Sequence, residues 1–473
     1  MRRVARGGAQ WALLRPCQVV LPVRLDPGER ELWLRLCDAE VATLEAYAGG
    51  TDTARAIDLV EAGAPLEPVE PGPDSGLIAA CFSGGRDSLT EAAMLQELGQ
   101  RPLLVTTTSP RDGSVEHETP RRRYVLDEIQ RRRGLELIEV HSTLRGCWDT
   151  GFAAARYGAG VNELTDTFLY FAVALAVALA RDARAVNLAS HTEVQENRRW
   201  VGAIVEHKHR MYSGATQRAL SALFAPAGLR YGGLTYPLYQ FQVQRLLERR
   251  YADLRDLQYS CWELSADQSD CSRCDECRTI AFNLMAEGVA PREVGIDLVS
   301  VLKAQSRWRP RLDEIDSPLP NAHWLFDSRL VHCLQTLTPE RMTDFIQLDA
   351  PLPEAQAGAL RSYEQMRAAA LVHDVVPEPG YRAGYLEFVD ESLRAGVAAI
   401  FDEHFAREPA ARHADLVRRS IALSNWLSAP LQRPELDRRR RPADVEPRYP
   451  PDRRSHRATD AGDHDHAHLR PPG

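Results

Sequence analysis

The sequence has no apolar run that approaches the ~20 residues needed to cross a bilayer, so no transmembrane helix is expected. The nearest candidate, Thr165–Ala180, is shorter and ends in Arg181-Asp182, which suits a buried helix better. There is no surplus of positive charge either. Lys and Arg total 58 against 66 Asp and Glu, a formal charge of −8, so the whole molecule has no electrostatic pull toward nucleic acid. The basic start, Met1-Arg2-Arg3-Val4-Ala5-Arg6, lacks the apolar stretch and small-residue cleavage site of a secretory signal, and a cytoplasmic location is the expectation. No internal repeat is apparent. What remains is ordinary for a globular chain: 473 residues, 44% hydrophobic and 26% charged, long enough for two or three domains.

The most informative stretch is Cys81-Phe82-Ser83-Gly84-Gly85-Arg86-Asp87-Ser88-Leu89. It follows an apolar run, Leu77-Ile78-Ala79-Ala80, that reads as a buried strand, and precedes Glu91–Gly99, which reads as a helix closed by glycine. Strand, glycine-rich turn and helix present backbone N–H groups and a helix N-terminus to a phosphate. The glycines let the backbone turn and approach the anion. Ser83 and Ser88 add hydroxyl donors, and Asp87 is placed to hold magnesium. No Gly-Lys-Ser/Thr follows, so a Walker loop and γ-phosphate transfer are not indicated. The string resembles the SGGxDS signature of the PP-loop ATP pyrophosphatases. That resemblance implies cleavage of ATP between its α and β phosphates and transfer of AMP to a substrate oxygen.

From Leu77 onward the pattern alternates. Pro102–Thr108, Leu135–His141 and Ala185–Ser190 read as strands, Arg121–Arg133 and Asn162–Ala180 as helices, which predicts an α/β fold with a parallel sheet. The resemblance narrows this to an adenine nucleotide alpha hydrolase-like core over residues 77–260. By position in that family, Thr106-Thr107-Thr108 would line the nucleotide, with Thr107 singled out. Before the core, Val19–Leu25 and Glu31–Leu36 flank Asp26-Pro27-Gly28-Glu29 and predict a β-hairpin in an N-terminal extension, residues 1–70, bounded by the Pro/Gly-rich 64–76. Beyond a metal-binding segment at 261–300, residues 301–432 predict a helical region containing Pro339–Phe345, Glu354–Val372, Tyr385–Phe405 and Ala411–Leu427. Residues 433–473 are nearly devoid of large apolar side chains and predict a disordered tail.

Of nine cysteines, five are scattered; Cys261, Cys271, Cys274 and Cys277 fall within seventeen residues. Such clustering argues for a metal rather than disulfides. Four thiolates suit structural zinc in a tetrahedral site, with an iron–sulfur cluster as the alternative. SGGRDS followed by C-x9-C-x2-C-x2-C resembles the 7-cyano-7-deazaguanine synthase branch, which implies amide and nitrile formation at an adenylated carboxylate.

Between these motifs, Ser190–Gly202 and Val205–Ser213 are dense in polar groups and follow a predicted strand. Glu193 and His207 are candidates for proton exchange, Asn197 for orienting substrate, and Lys208 and Arg210 for holding a carboxylate or pyrophosphate. The segment and the chain length are similar to those of the UDP-N-acetylmuramoyl-L-alanyl-L-glutamate epimerase family. This resemblance implies carboxylate activation by ATP and magnesium, followed by removal and return of the α-proton. The expected catalytic residues are Asp87, Glu193 and His207, with ATP at Ser83, Gly84, Gly85, Arg86, Asp87, Ser88 and Thr107. ATP, Mg²⁺ and Zn²⁺ are the expected cofactors, and a small-molecule or peptide carboxylate is the expected partner, with a homo-oligomer compatible. The alternatives are a deazaguanine-synthase-like ligase and a non-catalytic ATP-binding protein. A tRNA-thiolating enzyme fits less well, because the chain is acidic and no paired catalytic cysteines are evident.

Overall fold

The computed structural model describes residues 17–21, 24–25, 27–28, 30, 57–61, 63–64, 75–108, 120–142, 163–195, 198–201, 204–207, 212–225, 228–261, 271–304, 322–349, 352–371 and 378–408. The molecule has an α/β core around a five-stranded, all-parallel sheet. In chain order the sheet and its crossovers are β3 (Leu77–Cys81), α1 (Arg86–Glu97), β4 (Arg101–Thr108), α2 (Pro120–Arg133), β5 (Glu136–His141), α3 (Glu163–Ala180), β6 (Ala185–Leu188), α5 (Gly214–Phe224) and β9 (Arg230–Gly232). Across the sheet the order is β5-β4-β3-β6-β9.

The apolar runs explain this layering. A parallel strand covered on both faces needs no polar alternation. Ile78, Ala80 and Leu104 face one way and pack with Leu89, Ala92, Ala93 and Met94 of α1 and Val125 and Ile129 of α2. Ala79, Leu103, Val105 and Val186 face the other way and pack with Phe171, Ala174 and Ala178 of α3 and Leu220 and Phe224 of α5. The sheet is therefore doubly wound. Thr165–Ala180 lies within the crossover helix α3, which buries Phe171, Ala174 and Ala178 against the sheet, and no described helix is long and apolar enough to cross a membrane.

Three smaller pieces sit around this core. The N-terminal strand β1 (Cys17–Leu21) pairs in parallel with β2 (Ile57–Glu61). A parallel partner so far along the chain requires a long crossover and is an addition to the sequence expectation; the second strand of the expected hairpin, 31–36, lies outside the described residues. The segment after β6 forms a short helix, α4 (Thr192–Gln195), and an antiparallel pair, β7 (Arg198–Val201) with β8 (Ile204–His207). A helical unit follows the core: α7 (Asp275–Ala286), α8 (Leu298–Lys303), α9 (Ala322–Thr336), α10 (Pro339–Asp349) and α11 (Pro353–Ala370) share one apolar cluster, and Cys271, Cys274 and Cys277 belong to it.

The last described segment leaves that unit. Tyr381 and Val389, on either side of a 3₁₀ turn (Ala383–Phe388), and Leu393, Val397, Ile400 and Phe401 of α12 (Glu391–Asp402) return to the α1 face of the core, beside α6 (Gln240–Arg249). A single helix over Tyr385–Phe405 is expected, but the chain breaks at Val389, and Asp390 restarts it by accepting from Ser392 N at 3.0 Å. The strap fits so closely that a Cβ on Gly232 would stand 2.1 Å from Phe388 O. The helix expected at 411–427 and the tail at 433–473 lie outside the described residues.

Candidate functional site

In strand order the chain builds outward from β3 through β4 to β5 on one side, and through β6 to β9 on the other. The connections diverge between β3 and β6, and in open α/β sheets the ligand position lies beyond the carboxyl ends of the strands at such a point. Residues 82–88 leave β3 at that point, and residues 189–193 leave β6 beside them.

The first loop is shaped by its glycines and serines. Phe82 N donates to Val105 O at 2.8 Å, carrying the sheet one residue further before the turn. Gly84 has φ +80°, and a Cβ there would meet Val125 Cγ1 at 3.0 Å, so glycine is required by conformation and by space. Gly85 N donates to Ser83 Oγ at 3.3 Å, and Ser88 Oγ donates to Gly85 O at 3.0 Å. Gly85 is the N-cap of α1, whose first full bond runs from Leu89 N to Gly85 O at 3.0 Å. First-turn N–H groups have no partner within the helix and carry the positive end of its dipole, an arrangement suited to an anion. Ser83 is exposed, Asp87 half-buried, and Asp87 Oδ1 is buried without a hydrogen-bond partner.

Beneath the loop runs a buried polar chain. Arg86 is 1% exposed; its Nη2 donates to Glu276 Oε1 at 3.2 Å and lies 3.6 Å from Asp87 Oδ2. Gln240 Nε2 donates to both Glu276 oxygens, at 3.1 and 3.2 Å. Gln240 N, at the start of α6, donates to Glu193 Oε1 and Oε2, each at 2.9 Å. Glu193 Oε2 in turn meets His191 Nδ1 at 2.9 Å. Burial works against the His191 imidazolium, but the neighbouring Glu193 and Asp87 carboxylates outweigh it and raise the pKa. Burial likewise opposes the Arg86 charge, and Asp87 and Glu276 more than restore it.

The four clustered cysteines converge. Cys271, Cys274 and Cys277 are buried, Cys261 is half-buried, and their sulfurs all lie within 4.8 Å of one another. The closest approaches are 4.0 Å for Cys261–Cys274, 3.9 Å for Cys271–Cys277 and 3.5 Å for Cys274–Cys277. A tetrahedron of sulfurs ~2.3 Å from one ion has edges of ~3.8 Å, so the set fits a single metal ion. The cage is preformed by backbone. Cys271 N donates to Cys261 Sγ at 3.3 Å and Cys274 N to Cys271 Sγ at 3.2 Å, around Ser272 at φ +53°. Hydrogen bonds with Cys261 and Cys277 outweigh the opposing effects of Cys271 and burial and bring the Cys274 thiol down to about 6, toward the thiolate a metal requires.

Placement of the other sequence candidates varies. Glu193 is buried with both oxygens engaged, so it orients His191 and the start of α6. The Arg86 guanidinium points inward to Glu276 rather than to the open side of the loop. Thr107 is half-buried near the end of β4, and Arg122 Nη2 donates to its carbonyl at 3.1 Å and to Thr106 Oγ1 at 2.6 Å. His207 closes β8 in register with Arg198. Asn197, Lys208 and Arg210 lie outside the described residues. Cys81 donates to Tyr170 O at 3.7 Å, and burial pushes its thiol up to about 12, so it is a core group and no nucleophile.

His191, Gln240, Ser260 and Glu276 are the site residues that motif reasoning passed over. His191 stood two positions before a chosen glutamate, and Glu276 sat inside the Cys-x-x-Cys spacing; Gln240 and Ser260 carried no local signal. No protein-family model matches the chain, and no curated protein matches it.

Proposed function

We propose that this chain is an ATP-dependent enzyme of the PP-loop type that activates a carboxylate on a small molecule or peptide by adenylation, releasing pyrophosphate. The observation that carries this reading is the position of the SGGRDS loop at the start of α1 and at the point where the sheet order reverses. Gly84, Gly85 and the first turn of α1 hold the departing pyrophosphate, with Ser83 and Ser88 adding hydroxyls. The buried, unpartnered Oδ1 of Asp87 is a ligand position for Mg²⁺. Magnesium supplies charge neutralisation on the phosphates. Thr107, near the carboxyl end of the neighbouring strand, is on the nucleotide side in this reading. His191, held by Glu193, moves the proton, and this favours the epimerising outcome over amide or nitrile formation: an activated carboxylate acidifies its α-carbon, and a paired imidazole beside Asp87 can accept and return that proton. Zinc, held by the four cysteines, is structural, since all four sulfur positions are used.

The test is incubation of purified protein with ATP, magnesium and a panel of carboxylates, including peptides ending in glutamate, with product identification by mass spectrometry. AMP and pyrophosphate are expected; ADP and phosphate would overturn the reading. In D₂O, deuterium at the substrate α-carbon marks epimerisation, whereas ammonia-dependent loss of mass marks the ligase alternative. Asp87→Asn should abolish AMP release.

A further inference from the structure

We propose that Arg86 and Glu276 are positioning residues that couple the cysteine metal site to the SGGRDS loop, so that a metal ion at the sulfurs and an anion at the loop bind cooperatively. Both arms of the cysteine site reach the loop at Arg86, and the first reaches Gly84 as well. On the first arm, Tyr259 N donates to Gly84 O at 2.9 Å, and Ser260 Oγ, directly before Cys261, accepts from Arg86 N at 3.2 Å. On the second, Glu276, directly before Cys277, takes the Arg86 guanidinium at 3.2 Å. The loop is thus held at Gly84 and Arg86 by groups adjacent in sequence to metal ligands.

Geometry makes this more than proximity. Cys261 and Cys271 are ten positions apart, and their arms meet at the sulfurs. One ion bound to all four sulfurs fixes the distance between Ser260 and Glu276, and that distance sets where Arg86 sits. Arg86 N belongs to the first turn of α1, so its placement sets the direction of the neighbouring N–H groups. Groups bonded to metal-ligand neighbours commonly tune a site in this way. Coupling between two ligands is reciprocal: whatever factor the metal contributes to anion affinity, the anion returns to metal affinity.

The anion half rests on the nucleotide reading above; the loop half does not. Hydrogen–deuterium exchange on the full-length, zinc-loaded protein tests the loop half directly. Chelating the zinc should speed amide exchange at residues 84–88 by about tenfold, with peptides from β4 and β6 unchanged as a check on the core. Glu276→Gln should keep its zinc yet show raised exchange at 84–88 already in the loaded state. For the anion half, Mg-ATP should slow zinc transfer to a chromogenic chelator several-fold, and that protection should vanish in Glu276→Gln. Exchange at 84–88 that ignores zinc removal, or an ATP affinity identical with and without zinc, overturns the coupling while leaving the nucleotide reading intact. A zinc-dependent loop in a protein that fails to bind ATP keeps the loop coupling and sinks the nucleotide reading. Glu276→Gln that loses stability but retains full nucleotide protection of zinc reduces Arg86–Glu276 to an ordinary buried ion pair and overturns the proposal.

Discussion

At the amino-terminal edge of the sheet, the ends of α1, α2 and α6 surround an open groove of about 540 Å³ lined by Glu97, Arg132, Arg133, Arg250 and Asp253. Its arginines meet carboxylates at the surface: Arg133 with Asp253 at 2.6 Å, Arg132 with Asp256 at 2.6 Å, and Arg250 with Glu97 at 2.5 Å and with Glu403. At the carboxyl edge the charges are fewer and deeper. Arg86 and Glu276 are both buried, and two nitrogens of Arg86 have no partner. Exposed pairs are screened by water and salt and typically contribute ~0–1 kcal/mol. A buried pair is different: breaking it leaves one uncompensated charge, at a cost of ~3–5 kcal/mol. The more charged, more exposed edge is therefore the more tolerant one, and the buried edge is where substitution is felt.

Substitutions can break this contrast, beginning with the largest effect. Cys277→Ser removes a ligand whose sulfur also sits in the core of the helical unit. Under the proposed zinc reading, loss of the bound metal and of most of the ellipticity of that unit is expected, read by metal analysis and circular dichroism. Arg86→Met strands Glu276 beside Gln240 and should lower stability by ~3–5 kcal/mol in urea titration.

Glu91 sharpens the comparison through pH. It is buried on α1, accepts from Leu234 N at 3.2 Å and Thr235 Oγ1 at 3.3 Å, and burial raises its carboxyl from 4.5 to about 7 despite those bonds. The folded state thus binds this proton more tightly than the unfolded state. Its penalty is absent below pH 4.5, grows as pH rises, and is complete above about 7. Wild type should lose on the order of 3 kcal/mol relative to Glu91→Gln between about pH 5 and pH 8, measured as the difference in urea midpoints. At the other edge, Arg133→Ala should change stability by less than ~1 kcal/mol, and less again in high salt. A larger loss there would remove the distinction between the two edges.

Much of the carboxyl edge was legible because its elements are local. The strand at 77–81 shows as an uninterrupted apolar run, the turn as two glycines, and the cysteine cluster as one nine-residue and two two-residue gaps. The start of α1 was read five residues late, because Arg86-Asp87-Ser88 resembles loop chemistry until Gly85 is seen to cap the helix. β9 is only three residues long and runs into glycine, too brief to show a period. The buried chain was invisible for another reason. Arg86 and Glu276 are 190 positions apart, and Gln240 and Glu193 47 apart; each alone reads as a solvated surface group. Only the fold supplies the burial that makes them partners. The split of the C-terminal region, part to the helical unit and part back to the core, was similarly nonlocal.

That return has a consequence for synthesis. The α1 and α6 face is covered by Leu393, Val397, Ile400 and Phe401, and Phe388 locks against Gly232. On the ribosome these residues emerge about 150 positions after α6, an interval of roughly seven to thirty seconds at elongation rates of about 5–20 residues per second. Throughout that interval a nearly finished α/β core displays a bare apolar flank. A nascent chain halted before Tyr381 is, on this account, a chaperone client rather than a smaller working protein.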